Sequence, residues 1–133
     1  DKAPWADRIK FVQENGLAKL VDMNMQRWFS EDFRKRAPET LARMNAIFLA
    51  TDPAGYIGCC EAIRDMDFRA SNPSIKAPTL VIIGAKDPAT PPAQGEAIAK
   101  QIPGAKLASL DAAHIANLEQ PKQYTETVLN FLN

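Results

Sequence analysis

The sequence predicts an α/β chain: a helical region over residues 1–70, a linker at 71–78 and a βαβα segment of a parallel sheet over 79–133. Three observations carry this. The run TLVIIG, 79–84, is continuously apolar rather than alternating, as expected of a parallel-sheet strand covered on both faces. Residues 1–70 place apolar side chains at helical spacing and show little strand signal. Between the two regions, SNPSIKAP brings two prolines and two serines where the composition changes.

Taken in order, Pro4 suits the first turn of a helix in which Trp5, Ile9 and Val12 share a face, and Gly16 can end it. Leu17, Leu20, Val21 and Trp28 continue at helical spacing. Ser30 and Asp32 can cap a short helix through Phe33, and Pro38 starts another with Leu41, Met44 and Phe48 on one stripe. Asp52 and Pro53 open a further helix, with Tyr56, Cys59, Cys60 and Ile63 as its expected apolar face. These short helices suggest a lid or small helical domain. After the TLVIIG strand, Pro92 to Ile102 reads as a helix with Ala93, Ala97 and Ile98 inward, and KLASL as a second strand. Pro121 to Leu132 reads as a terminal helix packing through Tyr124, Val128 and Leu132.

A chain of 133 residues with 46% hydrophobic content can bury one sizeable core. Sixteen basic residues balance sixteen acidic ones, and no basic block interleaves with aromatics, so the electrostatic footprint of a nucleic-acid binder is missing. The apolar runs are too short for a membrane span, and the N-terminus lacks a signal pattern. Asn72 is followed by Pro73, which spoils the Asn-x-Ser triplet. A soluble, cytoplasmic protein is expected. Cys59 and Cys60 are adjacent, awkward for a structural disulfide and too few for a metal site, so two buried thiols are expected.

Two parallel strands joined by one crossover helix cannot by themselves cover a strand like LVIIG on both faces and both edges. The chain also begins at Asp1 without a methionine. The expectation is therefore the C-terminal part of a larger α/β protein, with the rest of the sheet on N-terminal sequence or on a partner chain. An uncovered edge further predicts self-association.

The chemistry-bearing residues lie in the second region. In GAKDPATPP, Asp87 stands just past the carboxyl end of the first strand, where open α/β sheets place functional groups; Asp-Pro is also ordinary turn chemistry. The single histidine, His114 in DAAHIANLEQP, again follows a strand and precedes a helix. Adjacent parallel strands put their carboxyl ends side by side, so the pair can meet across one crossover. An acid that orients an imidazole is the second half of a nucleophile, base and acid triad, in the chain order Ser, Asp, His. The nucleophile half is not in this sequence: none of Ser30, Ser71, Ser74 or Ser109 sits in G-x-S-x-G.

The segment GAKDPATPPAQGEAIAKQIPGAKLASLDAAHIANLEQP resembles the C-terminal part of α/β-hydrolases. The stretches WADRIKFVQENGLAKLVDMNMQRWFSEDF and TDPAGYIGCCEAIRDMD are similar to the helical cap of the 3-oxoadipate enol-lactonase family. The resemblance implies the C-terminal part of an α/β-hydrolase fold and hydrolysis of a small-molecule lactone, without metal or cofactor. It makes Asp87 the triad acid and His114 the base, with the serine on a missing N-terminal half or a second chain. The substrate's free carboxylate would need a cation from the cap. Arg8, one turn from Trp5, is the candidate, because a guanidinium binds carboxylate bidentately, and Trp5 would wall the ring. Trp28, at the end of an apolar stripe, is a further substrate-binding candidate, followed by Arg27 and Arg64. Two alternatives remain open. A related hydrolase, haloperoxidase-like or acting on C–C bonds, would share the DP and H-x-x-N-x-E features. A non-catalytic fragment or binding module would keep only half a site.

Overall fold

The computed structural model describes residues 2–133, which divide into two compact units. One comprises the residues through Met25 together with Ala37–Asp67, and the other comprises Gln26–Arg36 and Phe68–Asn133. Gln26–Arg36, which sequence pattern alone groups with the helical region, thus belongs with the strands. Among the described residues no helix is long and apolar enough to cross a membrane.

The first unit is helical. Helix α1 (Ala3–Asn15) carries proline in its first turn, where a missing N–H costs nothing, and buries Ile9 and Val12. It stops at Gly16, whose φ of 74° is the left-handed conformation glycine adopts without strain, and whose N–H returns to Val12 O at 2.8 Å. A 3₁₀ turn, Leu17–Leu20, leads into α2 (Val21–Trp28), whose last residues pass into the second unit. After α3 (Glu31–Arg36) in that second unit, α4 (Pro38–Leu49) and α5 (Pro53–Asp65) complete the first. Asp52 caps α5 by accepting from Ala54 N at 3.1 Å, and α5 packs along α1.

The expected inner face of α5 is corrected. Cys60 is buried and Tyr56 half-buried, but Cys59 is exposed and Ile63 is more than a third exposed. Half-buried Ile57 and Arg64 take part of the inner face instead. Tyr56 has an edge-to-face contact with Phe48 at 5.6 Å, and this fixes the rotation of the helix so that only one of the two thiols can point inward.

In the second unit, Ser30 Oγ accepts from Phe33 N at 3.3 Å and caps α3, and Phe29 stacks on Phe33 at 5.3 Å. Within 71–78, a 3₁₀ turn at Asn72–Ser74 is fastened by Asn72 Nδ2 donating to Gln101 Oε1 at 2.8 Å. Strand β1 (Leu80–Gly84), helix α6 (Pro92–Gln101), strand β2 (Lys106–Leu110), the short helix α7 (Ala116–Glu119) and α8 (Pro121–Leu132) follow. The strands are parallel, in register from Leu80 opposite Lys106 to Gly84 opposite Leu110.

Helices lie on both faces of β1, as its unbroken apolar character requires. Ile82 joins the cluster of Leu110, Ala112, Ala116 and Tyr124 on the α8 side. On the other side α6 approaches through Gly95: a Cβ there would collide with Ile83 Cγ2 and lie 3.6 Å from Val81 Cγ1. The inward set expected for α6 is therefore wrong. Ala93, Ala97 and Ile98 are exposed, because the helix comes close enough that only glycine fits at its contact line. Tyr124 and Val128 of α8 are half-buried as expected, but Leu132 is 71% exposed; Phe131 is half-buried in its stead, with Lys106 Nζ 5.6 Å from its ring. The described residues form a two-stranded sheet, so β2 pairs one edge of β1 and no strand pairs the other.

Candidate active site

Beyond the strand ends the two chains stay zipped together. Ala85 N donates to Leu110 O at 2.8 Å and Lys86 N to Ala112 O at 2.9 Å, while Lys86 Nζ meets Asp111 at 2.8 Å. Gly84 permits this approach: a Cβ there would lie 2.6 Å from Ala112 O and closer still to Ala113 O. The loop carrying Asp87 and the loop carrying His114 are thereby held side by side.

Asp87 is a saturated acceptor. Its Oδ1 takes the N–H groups of Ala89 at 2.7 Å and Thr90 at 3.0 Å, and its Oδ2 takes the Thr90 hydroxyl at 2.6 Å. The fourth contact is His114 Nδ1, 2.9 Å from Oδ2. Burial pushes the Asp87 carboxyl up, but the Thr90 hydroxyl and N–H, then His114 and the Ala89 N–H, outweigh it and hold the carboxyl below its ordinary value. An ionised carboxylate can only accept, so Nδ1 must be the donor. The Thr90 hydroxyl spends its hydrogen on Asp87 and sits 3.2 Å from Nδ1 as a second acceptor. With its proton assigned to Nδ1, the ring keeps a lone pair on Nε2, which is the arrangement of a general base.

The backbone on either side of His114 is also tied. Ala113 N donates to Glu119 Oε1 at 3.1 Å, and Ile115 N donates to Trp28 O at 3.0 Å. Glu119, only 3% exposed, further accepts from Ser30 N and Ser30 Oγ, each at 2.7 Å.

A groove of about 470 Å³ opens at this site. It is lined by all five residues of β1 and none of β2, so it follows the edge that lacks a partner strand. Gln94 and Ile98 of α6 and Tyr124 of α8 wall it, and Asp87, Thr90 and His114 stand along it.

The structure brings Asp87 and His114 together as the sequence predicts. Trp28 lies in the same unit, with its carbonyl against the residue after His114 and its side chain half-buried. Trp5 and Arg8 lie in the helical unit. Arg8 Nε donates to Tyr56 Oη at 2.6 Å and its Nη2 to Asn24 Oδ1. Asn24 is fully buried, and its Nδ2 has no partner. Burial raises the Tyr56 hydroxyl above its ordinary pKa against the pull of Arg8, so it stays protonated. Arg27 is exposed, and Arg64 is engaged by Asp65 at 2.8 and 3.2 Å.

The sequence pattern points to no role for Thr90, Glu119 or Gly84, and marks Ser30 only as a helix cap, which it is. Thr90 stands three residues after Asp87, the spacing at which a hydroxyl returns to a turn aspartate, and this signal was available. Glu119 lies in the H-x-x-N-x-E pattern, yet its partner Ser30 is distant in sequence, so spacing could not pair them. Of the serines, Ser30, Ser71 and Ser74 spend their hydroxyls on Glu119, Phe68 O and Ser71 O, and Ser109 is on β2. Among the described residues the hydroxyl bonded to His114 is that of Thr90.

The chain matches the family described as alpha/beta hydrolase fold over residues 11–121. It is 35% identical to 3-oxoadipate enol-lactonase 2 of Acinetobacter baylyi, over 93% of this chain and 46% of that protein. It is 36% identical to 3-oxoadipate enol-lactonase 1 of the same organism, over 96% of this chain and 48% of that protein. The enol-lactonase from Burkholderia xenovorans LB400 superposes with a TM-score of 0.94 at 42% identity, covering 96% of this chain and 49% of that one. The chain thus spans about half the length of these relatives. These matches establish that the chain belongs to the α/β-hydrolase fold family, and the zipped strand ends with the Asp87–His114 pair accord with it.

Proposed function

We propose that this chain supplies the acid and base of a serine hydrolase that opens 3-oxoadipate enol-lactone to 3-oxoadipate. The contact of His114 Nδ1 with Asp87 Oδ2 at 2.9 Å carries the reading, and the similarity to enol-lactonases supports the substrate. In the reaction, Nε2 of His114 takes the proton of an attacking serine hydroxyl as the oxygen bonds to the lactone carbonyl carbon. The imidazolium then gives that proton to the enol oxygen as the C–O bond breaks. Water, deprotonated by the same nitrogen, releases the acid from the serine, and the enol product tautomerises to the ketone. Asp87 holds the ring and stabilises its charged form.

No G-x-S-x-G occurs in the 133 residues, so the nucleophile comes from a further polypeptide segment. A strand of that segment along the free edge of β1 would bring its following turn toward Nε2, and the groove on that edge supports this placement. For the substrate carboxylate we propose Arg8, with Trp5 and Trp28 as apolar walls. Both groups that Arg8 bonds are neutral, and the buried Asn24 Nδ2 beside it is a donor without a partner.

The test is co-expression of this chain with the G-x-S-x-G segment of an enol-lactonase, followed by assay of lactone opening. Turnover that vanishes in His114→Ala supports the proposal. Equal turnover with wild-type and His114→Ala, or none with any serine-bearing segment, overturns it in favour of a non-catalytic module. Activity on simple esters with none on the lactone would retain the relay and reject the substrate.

A further inference from the structure

The buried Glu119 carboxylate has no part in the proton relay, yet it accepts three hydrogen bonds from two distant pieces of chain. Burying a charge is expensive, and a carboxylate kept only for stability could be replaced by a well-packed apolar residue at little cost. Capping of α3 does not require it either, since Ser30 Oγ already accepts from Phe33 N. What only an acceptor of this length provides is a bridge. One oxygen spans Ser30 N and Ala113 N, the residue before the base, while the other takes the Ser30 hydroxyl. Glu119's own carbonyl receives Arg36 Nη2 at 3.1 Å, which anchors the short α7 from the same side.

We infer that Glu119 is a positioning residue for His114: its carboxylate clamps the backbone at Ala113, so that Nδ1 is presented to Asp87. This inference rests on the proposed Asp87–His114 relay. The clamp has two jaws, because Ile115 N is held by Trp28 O, next to the Ser30 segment that Glu119 grips. With the residues before and after the histidine both fixed to the same segment, the ring's swing is confined to its side-chain torsions. Without the carboxylate, Ala113 N loses its partner, the loop relaxes to find water, and the 2.9 Å contact opens.

The chain contains one histidine, so a ¹⁵N spectrum of its imidazole reports a single ring without assignment ambiguity. With the ring neutral, the wild-type chain is expected to hold its proton mainly on Nδ1. Asp87→Asn, whose amide donates where the carboxylate accepted, should transfer it to Nε2. Glu119→Ala should likewise make the Nδ1–H form the minority, while Glu119→Gln, whose amide oxygen can still accept from Ala113 N, should restore part of it. A folded Glu119→Ala chain with the wild-type tautomer ratio overturns the inference, even if it melts earlier. Should Glu119→Ala fail to fold, Glu119→Asp takes its place: it keeps the charge but is too short to span Ser30 and Ala113, and a wild-type ratio there is equally fatal. If Asp87→Asn itself leaves the ratio unchanged, the relay falls and this inference with it. If only the Glu119 variants leave it unchanged, the relay stands and Glu119 is structural.

Discussion

The candidate site residues of the two units handle their polar groups differently. In the strand-bearing unit the donors converge on acceptors: four hydrogen bonds reach the Asp87 carboxylate and three reach that of Glu119. Around Arg8 in the helical unit a donor is left over instead, since Arg8 satisfies Asn24 Oδ1 and Tyr56 Oη while Asn24 Nδ2 has no partner. A saturated acceptor fixes geometry, because moving it breaks several bonds at once. An unspent buried donor costs free energy until an acceptor arrives. The first arrangement suits a catalytic relay and the second suits recognition of an anion.

The sharpest way to break this contrast is Asp87→Asn in the completed enzyme formed with a serine-bearing segment. Turnover should fall about ten-thousand-fold, since the amide leaves the histidine in the wrong tautomer. A loss of less than about tenfold, measured as kcat on the lactone, would mean that the saturated acceptor is a turn and nothing more.

Next in size is Gly84→Ala. Its Cβ would strike the carbonyls of Ala112 and Ala113, which are backbone and cannot swing aside. We expect a loss of about 3 kcal/mol or more in urea unfolding, at the upper end of overpacking costs. Gly95→Ala meets a side-chain methyl of Ile83 instead and should cost less, roughly 1–3 kcal/mol. The reverse order would contradict the close packing of the loops that carry Asp87 and His114.

For the helical unit, Arg8→Met leaves Asn24 Oδ1 buried without its partner, at a cost of about 1–3 kcal/mol. In the completed enzyme the same variant should raise KM for the lactone with kcat little changed, as loss of uniform binding does. An unchanged KM would remove Arg8 from substrate recognition and leave it a structural bridge.

The smallest effect concerns pH. Asp87 binds its proton less tightly when folded than when unfolded, so its contribution to stability is present above the ordinary carboxylate range and is lost as pH falls through its lowered folded value. The urea midpoint should drop between pH 5 and pH 2.5. Thr90→Val removes the hydroxyl donor that most opposes burial, and should reduce Asp87's share of that drop by about 1 kcal/mol. An identical acid dependence in both proteins would show that Thr90 does not hold the carboxylate in its ionised form.

Much of the fold was legible because it is written in local chemistry. Pro4, Pro38, Pro53 and Pro121 begin the helices they were expected to begin, and KLASL and Pro121–Leu132 have the predicted bounds. The candidate acid and base were legible for the same reason, since each follows a strand that its own residues specify. The errors fall where a helix had to choose a face. Cys59, Ile98 and Leu132 fit a periodic stripe as well as Cys60, Ala99 and Phe131 do, and neighbouring elements decided between them.

The sequence by itself determined the α/β class, the order of elements and the two residues at the strand ends, because propensity, capping and apolar runs act over a few residues. The tertiary structure alone decided that Gly84 and Gly95 are contact points, that Gln26–Arg36 joins the strand-bearing unit, and that Glu119 bridges Ser30 to the residue before His114. Those are relations between segments far apart in the chain, and they exist only once packing has brought a donor and an acceptor within about 3 Å of each other.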